Sequence, residues 1–229
     1  MNLRALLAAA ALLAAPNVAG AQTAGGIRVA PVLVSLSPER AIGSVSLHNG
    51  RASAVSFEVE AFTWTQVNGQ DQLTPTTTLI VAPGVFEIPA GQEQTLRLGV
   101  RNADPNVETA FRILLRELPA ERQSGVALGF ALEMSLPIFV TPRGARAEIA
   151  SRTEGQQLIL TNTGRSYSQI ALLNGQQRLD APRYLLAGAS ATIELPAQAL
   201  NLQLHQANAS GQTERTINVG HSVQHASVR

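Results

Sequence analysis

The 229-residue chain reads as an all-β protein made of sandwiches. Three observations predict this. Apolar residues recur with a period of two in run after run, Gly, Pro and Asn turn signals separate the runs at regular spacing, and helical periodicity is nearly absent. The strongest run is Ser124 to Val140, S-G-V-A-L-G-F-A-L-E-M-S-L-P-I-F-V. Val126, Leu128, Phe130, Leu132, Met134, Leu136, Ile138 and Val140 are large and apolar, whereas Ala127, Gly129, Ala131, Glu133, Ser135 and Pro137 are small, polar or ring-locked. Successive side chains leave opposite faces of a pleated backbone, so the run is a strand. It is about three times the usual strand length of about five or six residues. It is either a long core strand or one whose apolar row is partly lent to another chain, and alternation alone does not separate the two.

Residues 1–21 are expected to be a secretory signal peptide: Arg4, a short apolar run, and a small-x-small site at Ala19-Gly20-Ala21. No later stretch is apolar and long enough to span a bilayer, so export without membrane insertion is expected. All 17 basic residues are Arg, and removing Arg4 with the leader balances the 16 acidic ones. Scattered, neutral charge argues against nucleic acid and anionic membrane surfaces as main partners. With no Cys, stability must come from burial, although an exported protein may form disulfides.

In chain order, Ile27 to Leu36 is a β-branched strand that Pro31 makes either an edge strand or a broken one. Ser37-Pro38-Glu39 turns. Gly43 to Leu47 and Ala54 to Gln66 are strands around the Asn49-Gly50 turn signal, and the alternation of the second slips near Ala61-Phe62 as a bulge would make it. Trp64, the only tryptophan, reads as a sheet-packing residue. Leu73 to Ala82 is a weak strand interrupted by Pro75. Phe86 to Pro89, Thr95 to Val100 and Thr109 to Leu118 follow, the last with Phe111, Ile113 and Leu115 on one face and Arg112 and Arg116 on the other. The boundary falls at Thr141-Pro142-Arg143-Gly144. Residues 22–142 then form a first domain, and 143–220 a smaller second sandwich with strands at Ala147 to Ala150, Gln156 to Asn162, Ser168 to Leu173, Ser190 to Leu195 and Thr213 to Val219. Residues 221–229 form a patternless tail.

Catalysis finds little footing, since there is no Cys nucleophile, G-x-S-x-G elbow or phosphate-cradling Gly-rich loop. His221 and His225 have a chelating spacing but lie in the tail without an acidic third ligand, so neither a metal nor a cofactor is expected. Arg112, mid-strand between Phe111 and Ile113, must project from the face opposite theirs. Its planar fork suits a carboxylate, either one on a ligand or that of Glu60 or Glu133 nearby.

Taken together, P-x-G-x-x-x-x-L-R-L at Pro89 to Leu98, F-R-I-L-L-R-E-L-P at Phe111 to Pro119 and A-L-E-M-S-L-P-I-F-V at Ala131 to Val140 resemble the PapD-like periplasmic chaperones of pilus assembly. V-A-P-V-L-V-S-L-S-P and G-S-V-S-L-H-N near the start fit the same pattern. The resemblance covers roughly Ile27 to Pro142 well, and the second domain through Leu158 to Asn162 and Tyr184 to Gly188. It implies two immunoglobulin-like sandwiches set at an angle, periplasmic location, and pilus subunits and an outer-membrane usher as partners. Its mechanism is donor-strand complementation, in which the chaperone's long strand fills a groove left by the subunit's missing strand. Matched by position, the donor row is Val126, Leu128, Phe130 and Leu132, and four such side chains contribute several kcal/mol before ordering costs, at about 25 cal/mol per Å². The better-known members fix the subunit's C-terminal carboxylate with an Arg and a Lys, where this chain has Leu33 and Pro137. That departure resembles the archaic (σ-type) branch and implies Arg112 as the carboxylate anchor, with Arg28 and Arg116 as candidate assistants. The alternatives are an exported pilus or surface structural subunit and a β-sandwich binding module.

Overall fold

The computed structural model describes residues 26–119, 131–179, 184–197, 199, 201–208 and 211–219. These residues form eighteen strands and no helix. The first ten are β1 (Ile27–Ala30), β2 (Val34–Leu36), β3 (Ile42–Asn49), β4 (Val55–Val67), β5 (Gln70–Pro75), β6 (Leu79–Ala82), β7 (Val85–Ile88), β8 (Glu93–Val100), β9 (Thr109–Glu117) and β10 (Glu133–Val140). One sheet runs β1-β3-β8-β6; facing it, the other runs β2-β10-β9-β4-β5, with β7 also on β4. The remaining strands are β11 (Ile149–Glu154), β12 (Gln157–Asn162), β13 (Ser168–Asn174), β14 (Gln177–Arg178), β15 (Tyr184–Leu185), β16 (Ser190–Glu194), β17 (Asn201–Asn208) and β18 (Gly211–Asn218). They form a β11-β12-β16 sheet and a β14-β13-β17-β18 sheet with β15 on β13. The fold is all-β, with two immunoglobulin-like sandwiches.

Of the two outcomes expected at Pro31, an edge strand or a break, the strand breaks. The chain before it pairs with β3 in one sheet, and the chain after it pairs in parallel with β10 in the other. Pro lacks the N–H that a continuous ladder would need, so the crossover falls there. The expected bulge near Ala61-Phe62 is absent: β4 keeps one uninterrupted register with β9 from Phe57↔Glu117 to Thr63↔Phe111. The alternation slips because the buried face changes. Val55 and Phe57 enter the first core, whereas Trp64, on the opposite face, joins the second cluster. Along the other edge of β4 the partner changes from β7 to β5 over the same stretch.

The long-strand expectation is met only from Glu133 onward. Ala131 and Leu132 are not strand, and Ser124 to Phe130 lie outside the described residues. In the second sandwich, strand β11 begins later than the Ala147 to Ala150 expectation. Strand β17 was missed although Leu202 and Leu204 alternate with polar neighbours and are fully buried.

One local device occurs in both sandwiches. Asn49 and Asn162 are fully buried at strand ends. Each accepts from the backbone N–H two residues on, at Arg51 and Gly164. Each donates to the carbonyl four residues on, at Ser53 and Ser166, and to a strand carbonyl, at Ile88 and Leu185. The main chains of Asn49 and Asn162 then bond the A-G-Q turn at Gly91-Gln92 and the A-G-A turn at Gly188-Ala189. A buried amide whose oxygen and nitrogen are both bonded fixes a corner that apolar packing could not specify.

Candidate functional site

Strand β10 is placed by its three sets of neighbours. Leu136, Ile138 and Val140 face the first core. Phe139, on the other face, stacks on Tyr167 of the second sandwich with centroids 3.5 Å apart and planes 10° off parallel. Trp64, Tyr184 and Ala110 complete this apolar junction, against which Leu33 also packs. Strand β9 pairs with all of β10, but β2 pairs only with Ile138 to Val140. From Glu133 to Pro137 the edge of β10 opposite β9 therefore has no paired strand among the described residues. An unpaired edge is a template for a strand from another chain.

The outer face of this sheet carries Arg112 in register between Phe62 on β4 and Pro137 on β10. Its guanidinium lies 3.9 Å from the centroid of the Trp64 ring and 5.9 Å from that of Tyr184. Nη1 donates to Ser135 Oγ at 3.1 Å, and Nη2 to Asp71 Oδ2 at 3.3 Å. The side chain is 17% exposed, against 45% for Asp71. Burial lowers the guanidinium's pKa and the Asp71 charge opposes this, but an Arg remains charged at any ordinary pH. Arg112 Nε and Trp64 Nε1 are buried without a hydrogen-bond partner among the described residues, so this corner has more donors than the chain uses. Sequence reasoning offered Glu60 or Glu133 as the internal partner of Arg112; the structure gives both to Arg116 instead, at 3.6 and 3.4 Å. Asp71 was missed because it reaches Arg112 across the β4–β5 hairpin, which only the fold reveals.

The other named residues divide. Leu132 is half-buried at the entrance to β10; Val126, Leu128 and Phe130 lie outside the described residues. Arg116 shares the face of Arg112 but is held by its two carboxylates. Arg28 is an exposed residue of β1, paired with His48 in the opposing sheet, so the topology separates it from Arg112. Leu33 and Pro137 present no charge.

Two links tie this face to the second sandwich. Gln66 Nε2 donates to Asp71 Oδ1 and to the Tyr184 carbonyl at 2.8 and 3.0 Å, and Gln66 Oε1 accepts from Leu186 N at 2.9 Å. Glu108 accepts from Tyr167 N at 2.5 Å and from Thr141 Oγ1 at 2.7 Å. Burial pushes its carboxyl up to about 7 despite both bonds. Among the described residues no group of three or more His, Asp or Glu could hold a metal, and no helix could cross a membrane.

Two joined sandwiches, with a strand edge unpaired among the described residues beside a half-buried guanidinium, present an edge on which a strand of another chain can pair. Residues 26–146 match the model of the pili and flagellar-assembly chaperone family, PapD N-terminal domain. The chain belongs to this family of periplasmic chaperones, and its task is to bind and cap pilus subunits. No curated protein sequence matches it. Among solved structures it is similar to the CsuC–CsuE chaperone–tip adhesion subunit pre-assembly complex from archaic Csu pili of Acinetobacter baumannii. That match has 21% identity over 84% of this chain and 97% of the other, with a TM-score of 0.65. The Salmonella enterica SafA pilin–SafB chaperone complex matches at 13% identity over 85% and 96%, with a TM-score of 0.71. The periplasmic chaperone SfaE matches at 16% over 84% and 98%, with a TM-score of 0.64.

Proposed function

We propose that this chaperone complements a pilus subunit with the strand that enters β10, using Val126, Leu128, Phe130 and Leu132 as the donor row, and passes the subunit to an outer-membrane usher. The observation that carries this reading is the one-sided pairing of Glu133 to Pro137, immediately downstream of the apolar row. Strand addition supplies main-chain hydrogen bonds, and the alternate side chains enter pockets that set the register. The subunit's C-terminal carboxylate is received by Arg112, whose guanidinium lies over the Trp64 ring beside Ser135. Leu33 and Pro137 at the two other anchor positions, with no Lys in the chain, favour the archaic branch. The work is strand exchange rather than bond-making chemistry. Residues 1–21 serve as the export signal, with 22–142 and 143–220 as the two working units.

Co-purification from periplasm with candidate pilus subunits tests this, comparing the wild type with Phe130→Arg and Arg112→Ala. Capture by the wild type and loss in both folded variants is the expected result. Loss with Phe130→Arg alone keeps the donor strand and removes the anchor. Equal capture by folded Phe130→Arg overturns the donor-strand reading and leaves a binding module.

A further inference from the structure

A second ionic contact lies where the chain enters β10, away from Arg112. Arg51 sits in the turn between β3 and β4, its backbone N–H held by the buried Asn49 side chain and the neighbouring Gly50 N–H bonded to the Gly26 carbonyl. From this fixed base its guanidinium meets Glu117 as a fork, Nη1 to Oε1 at 2.5 Å and Nη2 to Oε2 at 3.0 Å. Glu117 is only 13% exposed, and the Arg51 hydrogen bond holds its carboxyl below the usual range. Glu117 Oε2 also accepts from Leu132 N at 3.2 Å, while Glu117 N donates to the Leu132 carbonyl at 2.8 Å. One residue thus holds both backbone groups of Leu132, one through its main chain and one through its side chain. The next residue, Leu118, bonds through its N–H to the Ser56 carbonyl on the β4 side, so the end of β9 is held from both neighbours.

We infer that the Arg51–Glu117 pair is a register clamp: the bound carboxylate fixes the Leu132 amide and so sets which side chains of the preceding apolar row meet a subunit. This rests on the donor-strand reading. Side chains alternate with a period of two, so a slip of one residue at the last fixed point would turn the whole row to the wrong face. In a regular ladder the Leu132 N–H would bond a backbone carbonyl of the opposite strand; here a carboxylate takes it, and the ionic partner of that carboxylate comes from the turn between β3 and β4. Arg51 and Glu117 are positioning residues and need not touch the subunit.

Amide exchange and register mapping on the full chain test the clamp. The chain has no Cys, so Leu128→Cys is a unique thiol for disulfide trapping against single-Cys variants of a subunit that co-purifies with the wild type. In Arg51→Ala and Glu117→Ala, exchange at the Leu132 amide is expected to accelerate while Ile138 and Val140 amides stay protected. Trapping should spread from one subunit position to several, and subunit dissociation should quicken by about tenfold, as for a lost charged hydrogen bond. Arg51→Lys should recover part of the Leu132 protection. Unchanged Leu132 exchange in both alanine variants overturns the clamp. Faster exchange with one unaltered trapping position reduces the pair to a structural contact. If the wild type captures no subunit, the donor-strand reading fails and the positioning role with it, while Leu132 exchange still reports whether the contact exists.

Discussion

If Arg112 receives the subunit's carboxylate, Asp71 competes with it, and removing that acid should tighten subunit binding. Asp71 Oδ2 lies 3.3 Å from Arg112 Nη2 and the acid is 45% exposed. A half-exposed pair of this kind is worth about 0.2–1 kcal/mol. Asp71→Asn should then strengthen binding by roughly 1.5- to 5-fold, because the guanidinium no longer gives up a carboxylate to accept another. Arg112→Ala removes charge-assisted hydrogen bonds worth about 1.5–3 kcal/mol, a loss of roughly 10- to 150-fold. In the Arg112→Ala background Asp71→Asn should have no effect. The assay is the dissociation rate of purified chaperone–subunit complexes for the wild type, both single variants and the double variant, with denaturation midpoints as a folding control. Higher salt should shrink the gain from Asp71→Asn, since the competing pair is partly solvated. Weaker binding in Asp71→Asn, or the same gain with and without Arg112, would refute the competition and make Asp71 a support for the guanidinium instead.

Three further outcomes are expected. Glu108, pushed up to about 7 from an ordinary 4.5, binds more protons folded than unfolded between those values, so its contribution to stability falls as pH rises through that window, by up to about 3 kcal/mol. Glu108→Gln should flatten this slope and raise stability at pH 8, and urea denaturation at pH 5 and 8 checks it; an unaltered slope would place the titration elsewhere. Phe139→Ala opens the stacked junction and should cost about 3–5 kcal/mol in chemical denaturation. Gln66→Ala removes the bonds to the Tyr184 carbonyl and Leu186 N, and should cost about 1–3 kcal/mol by the same measurement, leaving two part-buried backbone groups unpaired.

Where a single core governed the pattern, the sequence was legible. Strands β3 and β8 carry strict alternation because one face meets the first core and the other meets solvent, and β9 keeps it from Phe111 to Leu115, where Phe111, Ile113 and Leu115 enter that core. Strand β4 was misread because its buried face changes partway, from Phe57 in one core to Trp64 in the other; a period-two pattern under two masters looks like an inserted residue. Arg112 was legible as a polar residue on an otherwise busy strand face, but its partner was not. The nearest acids in the register, Glu60 and Glu133, serve Arg116, and Asp71 arrives from a hairpin that alternation does not orient. The Arg51–Glu117 contact left no signal either, since 66 residues separate the pair and, although Glu117 falls in the F-R-I-L-L-R-E-L-P stretch, Arg51 lies in no motif.

Strand β10 shows why the apolar row of this chain can be longer than its own core needs. At its C-terminal end both faces are buried, Ile138 and Val140 in the first core and Phe139 against Tyr167, so that end cannot be lent. Toward Glu133 the outer face becomes charged, and among the described residues the far edge has no partner and the bonds to β9 run as far as Glu117 and Leu132. Ownership of the strand therefore passes along its length from the chaperone's interior to whatever pairs with its edge. An anchor belongs at this transition, where a fixed charge can stop an incoming strand in one register, and Arg112 stands beside Pro137 there. Leu33 and Pro137 carry no charge, so under the proposed anchoring a single guanidinium, set on Trp64 and tied through Asp71 and Gln66 to the second sandwich, would do what two cations otherwise share. Substituting Lys for Arg112 should for that reason fail to restore binding, because an ammonium lacks the planar fork and the stack on Trp64 that aim it.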